Sequence, residues 1–189
     1  MGRGIELKVD VLSVGEFNHL FEDNLIDRLG IDFLVRVGTA DQGAVEENVR
    51  FYKTHAWVNE SDLCVAAFKL YNLGGKSVTI ESVVVRGTEM DWPDVYWNRT
   101  SSLVFRDMNE TTWANVTGTS FTLDNRNYVR ATGNIFVRSG EMILVYMKTP
   151  SKRGDPSIIH RGNIGTPILL AVSTPNACHT IELIVEAAS

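Results

Sequence analysis

Between residues 5 and 11, the apolar side chains Ile5, Leu7, Val9 and Val11 alternate with Glu6, Lys8 and Asp10. A period of two marks a strand with one dry face, so a strand is predicted over 5–11. The period then lengthens. Phe17, Leu20, Phe21, Leu25 and Leu29 share one helical stripe, Ser13 and Glu16 stand at capping-box spacing ahead of it, and Gly30 supplies a stop. These positions predict a short amphipathic helix over 15–29. A strand is predicted over 31–37, then a loop at 39–43, and a weak helix or irregular stretch over 44–52.

Two apolar runs, 63–71 and 77–86, flank Asn72-Leu73-Gly74-Gly75-Lys76. The paired glycines accept the positive φ of a tight turn, so these runs predict a hairpin. Further strands are predicted over 95–97, 102–105, 120–123, 128–137, 141–148, 167–173 and 179–186. Turn residues separate them at Asp124-Asn125, Ser139-Gly140 and Arg153-Gly154-Asp155-Pro156. Helix signals fade after Tyr52. Short strands at this spacing imply a mainly β chain: an antiparallel β-sandwich, immunoglobulin-like or jelly-roll-like, with one short N-terminal α-helix, all in one domain over 1–189.

Composition narrows the function classes. With 44% hydrophobic and 22% charged residues among 189, the chain has the material for a sizeable core. A net charge of −5 works against a sequence-independent grip on nucleic acid, which needs a basic face. The longest apolar runs, 142–147 and 167–172, fall far short of the roughly 20 residues of a membrane helix, so no membrane span is predicted. No apolar segment follows Met1-Gly2-Arg3-Gly4, so the start is not an intact secretory signal. The chain is then either cytosolic or a domain whose leader or anchor stands outside it. Cys64 and Cys178 are either a disulfide, worth about 4–5 kcal/mol for so long a loop, or two free buried thiols.

Catalytic patterns are missing from the sequence. Gly74-Gly75-Lys76-Ser77 resembles the tail of a phosphate loop, but Leu70 stands where that motif needs its first glycine, and the segment joins two predicted strands. His19, His55, His160 and His179 are scattered, without metal-ligand spacing. No Gly-x-Ser-x-Gly occurs, and Cys178 opens an apolar strand as a core residue would. The expectation is a protein that is not an enzyme. The enzyme alternative needs carboxylates such as Asp91, Asp94 and Glu110 to converge in the fold.

Binding patterns are better represented. Glu89, Asp91 and Asp94 crowd one loop and Asp124, Asn125 and Asn127 another, making calcium the single candidate cofactor, with solvated turns as the plainer reading. Trp92, Trp97 and Trp113 are candidate sugar-stacking platforms, although tryptophans are more often core, and Trp57 belongs to the same set. Asn59, Asn98, Asn109 and Asn115 each open an N-glycosylation triplet. Three of these lie between 98 and 117, which points to one glycan-tolerant loop region on an extracellular or cell-surface protein.

The stretch Ala67-Phe68-Lys69-Leu70-Tyr71-Asn72-Leu73-Gly74-Gly75-Lys76-Ser77-Val78-Thr79-Ile80 and the later Arg138-Ser139-Gly140-Glu141 with its following strand resemble archaeal pilin and archaellum β-sandwich domains. Gly165-Thr166-Pro167 leading into Val172-Ser173-Thr174-Pro175 is similar to their closing strands. The family opens on a long apolar helix, whereas this sequence opens on a polar strand and a short amphipathic helix. The resemblance implies a structural or adhesive subunit of a microbial surface filament or envelope, with itself or other surface proteins as partners. Ile5, Leu7, Val9 and Val11 would then form an assembly strand added to a neighbour's sheet. A carbohydrate-binding module of a secreted protein, with glycans as partners, is the alternative.

Overall fold

The computed structural model describes residues 47–100, 107–149 and 159–189. The chain divides between Ala44 and Val45, and the described residues all belong to the second unit. The strands predicted over 5–11, 31–37 and 102–105 and the helix over 15–29 lie outside the described residues.

The described chain is mainly β, with no α-helix among the described residues. Its strands are β1 (Val49–Val58), β2 (Cys64–Asn72), β3 (Val78–Ile80), β4 (Ser82–Val85), β5 (Thr88–Glu89) and β6 (Val95–Thr100). They continue with β7 (Ser120–Leu123), β8 (Arg126–Arg130), β9 (Ile135–Val137), β10 (Met142–Thr149), β11 (Pro167–Ser173) and β12 (Cys178–Ala187). Ten strands form one sheet in the order β5-β4-β11-β12-β1-β2-β10-β6-β8-β7, and β3 pairs with β9 in a second. Neighbours run antiparallel except β1 and β12, which pair in parallel over Ala56, Trp57 and Val58.

Strands β2 and β10 lie mid-sheet, and their sequences are apolar at nearly every position because both faces are covered. On one face Ala66, Phe68, Leu70, Ile143 and Val145 join Val83, Leu170, Val172 and Leu183 from the far end of the same sheet. Strands five positions apart share this core only if the sheet curls back on itself. On the other face Ala67, Leu144 and Tyr146 pack against Trp57, Tyr96, Phe121 and Tyr128 as a second core. Some of the aromatic rings there meet edge-on, as Tyr128 and Tyr146 do at 4.9 Å, and others stack, as Phe121 and Tyr128 do at 5.0 Å.

The structure departs from the sequence pattern at several elements. The hairpin expected from 63–71 and 77–86 does not form: β2 pairs with β1 and β10, while β3 pairs with β9. Buried Asn72 diverts the chain, its Nδ2 donating to Lys76 O at 2.8 Å and Val137 O at 3.1 Å while its Oδ1 accepts from Gly74 N at 3.0 Å. Gly74 and Gly75 are not among the positive-φ residues, which include Gly87, Gly118, Gly140 and Gly165. The helix or irregular stretch expected over 44–52 is instead the start of central β1 from Val49 onward. A bulge between Phe51 and Thr54 breaks its alternation. The strand expected over 128–137 is two, β8 and β9, in different sheets.

Both cysteines are free, Cys64 buried and Cys178 exposed. Ala187 is paired to Val58 and Val58 to Cys64, so Cys64 sits beside one end of β12 while Cys178 opens the other. Ten-residue β12 spans about 30 Å, far beyond the roughly 7 Å between bonded Cα atoms.

Candidate ligand-binding site

Lys69 lies in the middle of β2, opposite Leu144 of β10, on the face of the second core, and only 1% of it is exposed. It lines a recess of about 120 Å³ together with Leu144 and Tyr146 of β10, Tyr128 and Arg126 of β8, Asp124, and the loop residues Asp107, Met108 and Asn109. Asp124 and Asn125 hold φ of 51° and 59° in the two-residue turn between β7 and β8. Such a turn matches the twist of its strands, and it brings Asp124 and Arg126 to the same wall.

Burial pushes the Lys69 ammonium below its ordinary pKa; Asp107 opposes the shift, and Arg126 and Lys53 add to it. Burial also raises the phenols, Tyr128 to about 12 and Tyr146 further, so both stay neutral. The Tyr146 hydroxyl donates to the Asn109 carbonyl at 2.8 Å, fixing the loop to β10.

Asp107 is held from three sides. Its Oδ1 accepts from Met108 N at 3.0 Å and from His55 Nε2 at 2.8 Å, and Lys53 Nζ stands 3.7 Å from Oδ2. These contacts, the His55 hydrogen bond first, keep its carboxyl below the usual range. The other His55 nitrogen, Nδ1, meets Glu186 Oε1 at 3.1 Å. Trp57 Nε1 donates to Glu186 Oε2 at 3.1 Å, and its ring stacks on His55 at 4.9 Å. The recess wall is thereby tied through Asp107 to both β1 and β12.

The residues expected to bind from sequence are dispersed. Glu89, Asp91 and Asp94 stand around the start of β6, with Asp94 raised by burial, whereas Asp124 belongs to the recess. No three His, Cys, Asp or Glu side chains gather to hold a metal among the described residues. Trp92 and Trp97 pack on the first core and Trp113 on the second, so the three share no platform. Arg99 covers Trp97 at 4.9 Å and Lys148 covers Trp113 at 5.2 Å. Asn59 Oδ1 accepts from Ser61 N and Leu63 N, and Asn98 Nδ2 donates to Asn127 O, while Asn109 and Asn115 are exposed. Glu110 accepts from Ser189 N at 2.7 Å. Ile5, Leu7, Val9 and Val11 lie outside the described residues.

Lys69, Arg126, Asp107, His55, Tyr128 and Tyr146 were not singled out by motif. One signal was present: Lys69 is the lone charge in the apolar run 64–71.

No family model and no curated protein matches the chain. Among solved structures it is similar to the copper-bound PCuAC domain from PmoF2, at 12% identity and a TM-score of 0.32, over 76% of this chain and 99% of that one. The neighbour is not a pilin or archaellin domain, which corrects the resemblance and the filament-subunit role drawn from it. Its bound copper also conflicts with the expectation of no cofactor beyond calcium. A likeness this distant assigns no copper chemistry to the present chain. The described residues include no helix long and apolar enough to cross a membrane.

Proposed function

We propose that this protein is a non-catalytic binding domain, extracellular or at a cell surface, whose recess between β2, β8 and β10 holds one small molecule. The observation that carries this reading is Lys69, a charged side chain with 1% exposure in a strand otherwise filled with core residues. Burying an ammonium costs several kcal/mol, and perturbed ionisable groups beside a concavity mark binding sites. The neutral Tyr128 and Tyr146 stand beside Leu144 and Met108 in a wall that also carries Lys69, Asp107, Asn109, Asp124 and Arg126. The non-catalytic reading draws on Asp107, whose oxygens are already engaged by His55, Lys53 and Met108, so it is a poor base. The surface location draws on exposed Asn109 and Asn115, both in acceptor triplets.

A fragment screen by NMR tests the reading with the full chain. Binders should shift the resonances of Met108, Tyr128 and Leu144 together, and Lys69→Met should remove those shifts while the remaining spectrum is kept. If a diverse screen leaves these resonances unmoved, or moves them equally in Lys69→Met, the recess is packing and the proposal fails.

A further inference from the structure

Asn-x-Ser/Thr triplets open at Asn59, Asn98, Asn109 and Asn115, and the fold treats them differently. An oligosaccharide joined to one of them must stay outside the core, so its asparagine has to reach solvent, and an enzyme that reads the triplet also has to reach the hydroxyl two residues on. Three triplets fall short. Asn98 lies within β6, opposite Leu144 of β10, and its Nδ2 donates to Asn127 O of β8 at 2.8 Å, so the nitrogen that would take the sugar is bound to the neighbouring strand. Asn59 is half-buried, and its Oδ1 accepts from Ser61 N and Leu63 N, both at 2.9 Å, which clamps the amide across the turn after β1. Asn109 is exposed, but Thr111 of its triplet is buried, its Oγ1 sealed from solvent and without a hydrogen-bond partner among the described residues.

The triplet Asn115-Val116-Thr117 meets both conditions. Val116 is fully buried in the second core and anchors the segment from its middle, leaving Asn115 and Thr117 exposed on either side. The main chain is fixed around them: Asn115 N and Val116 N both donate to Thr112 O, at 3.1 and 3.3 Å, and Thr117 N donates back to Asn115 O at 3.0 Å. That last bond closes a three-residue turn, which holds Asn115 and Thr117 near each other through the backbone while both side chains stay exposed. Gly118, at φ 71°, turns the chain toward β7, and the Tyr96 hydroxyl donates to its carbonyl at 3.0 Å. We infer that Asn115 is the N-glycan acceptor of this domain, taking its sugar from a lipid diphosphate-linked oligosaccharide. Asn115 Nδ2 attacks the anomeric carbon, a C–N bond forms as the C–O bond to the diphosphate breaks, the lipid diphosphate leaves with the electron pair, and the amide gives up one proton to a base of the transferase. The inference rests on the surface location proposed above.

The folded full chain, incubated with an oligosaccharyltransferase that accepts the bare Asn-x-Ser/Thr triplet and with its lipid-linked oligosaccharide, tests the assignment, with peptide mass spectrometry reading each asparagine. Asn115 should be modified about tenfold ahead of the other three, which open to the enzyme only through local unfolding. Thr117→Ala should abolish the modification and Thr117→Ser should keep it, both at an exposed position outside the core. Short peptides, one per triplet, should lose that spread, because no fold closes them. Asn115 left bare on the folded chain, another triplet modified as readily, or the same spread among the peptides would overturn the inference. Location is read separately, by labelling intact producing cells with membrane-impermeant biotin. A labelled chain that its cells leave bare at Asn115 overturns the acceptor and keeps the location; a chain that stays unlabelled overturns the location, and with it the glycan in the cell.

Discussion

Lys69 and the two tyrosines beside it titrate in opposite senses. Because burial lowers the Lys69 pKa from an ordinary 10.5, the folded chain releases that proton before the unfolded chain does. As pH rises below 10.5 the unfolded state holds more protons, so stability climbs. Tyr128, raised to about 12 from 10.0, and Tyr146, raised further, reverse the sign: above about 10 the unfolded phenols ionise first and stability falls. Cys64, raised by burial to about 12 from 9.0, adds to that fall from about pH 9, so the Lys69 rise should show below that point and the melting temperature should drop above it. In Lys69→Met the rise should flatten and the fall persist; a Lys69→Met profile that rises like the wild type would show that the charge is not buried. Asp107 acts at the acid end. Its folded pKa is depressed, chiefly by His55, so its contribution is present above the unfolded carboxylate value, about 3.9, and is lost as pH falls through the folded value. Asp107→Asn should remove that acid-side slope in a melting series from about pH 6 to pH 2. An unchanged slope would mean that the His55 contact does not hold in solution.

At the scale of elements, strands were read most easily where one or both faces are dry without interruption. Strands β7, β10, β11 and β12 follow their sequence patterns to within one or two residues. β1 was lost because its bulge puts Lys53 and Thr54 out of step with Phe51. The 63–86 pairing was misread because local turn chemistry says where a chain bends but not which strand it meets, and Asn72 sends it into the second layer. Asp124-Asn125 was legible, since both residue types tolerate positive φ. That turn can be tested. Asn125→Val forces a β-branched residue to φ near 59° and should cost about 1–2 kcal/mol, whereas Asn125→Gly should stay within about 0.5 kcal/mol of wild type in urea unfolding. Equal losses for both would point to the asparagine side chain, not the backbone, as what matters there.

Across the whole molecule, β2 and β10 contribute alternate residues to two cores, so neither core can be lost without unpairing the strands that carry the other. This sharing is also why the candidate site was hidden in the sequence. Lys69, Asp107, Arg126 and His55 come from separate segments, and only the curled sheet and the loop before β7 bring them together. The physical consequence is cooperativity. All four tryptophans belong to the unit from Val45 to Ser189, with Trp92 and Trp97 packed on the first core and Trp57 and Trp113 on the second. Fluorescence can therefore follow each core separately: Trp57→Phe with Trp113→Phe leaves reporters of the first, and Trp92→Phe with Trp97→Phe leaves reporters of the second. Within each background, the midpoint should be the same by fluorescence as by far-ultraviolet circular dichroism over the strand signal. Adding Met147→Ala to the first core or Phe121→Ala to the second should cost about 2–5 kcal/mol and shift that single transition in either background. If Phe121→Ala lowers the midpoint seen by second-core tryptophans and leaves the first-core midpoint in place, the two faces unfold independently and the shared strands do not couple them.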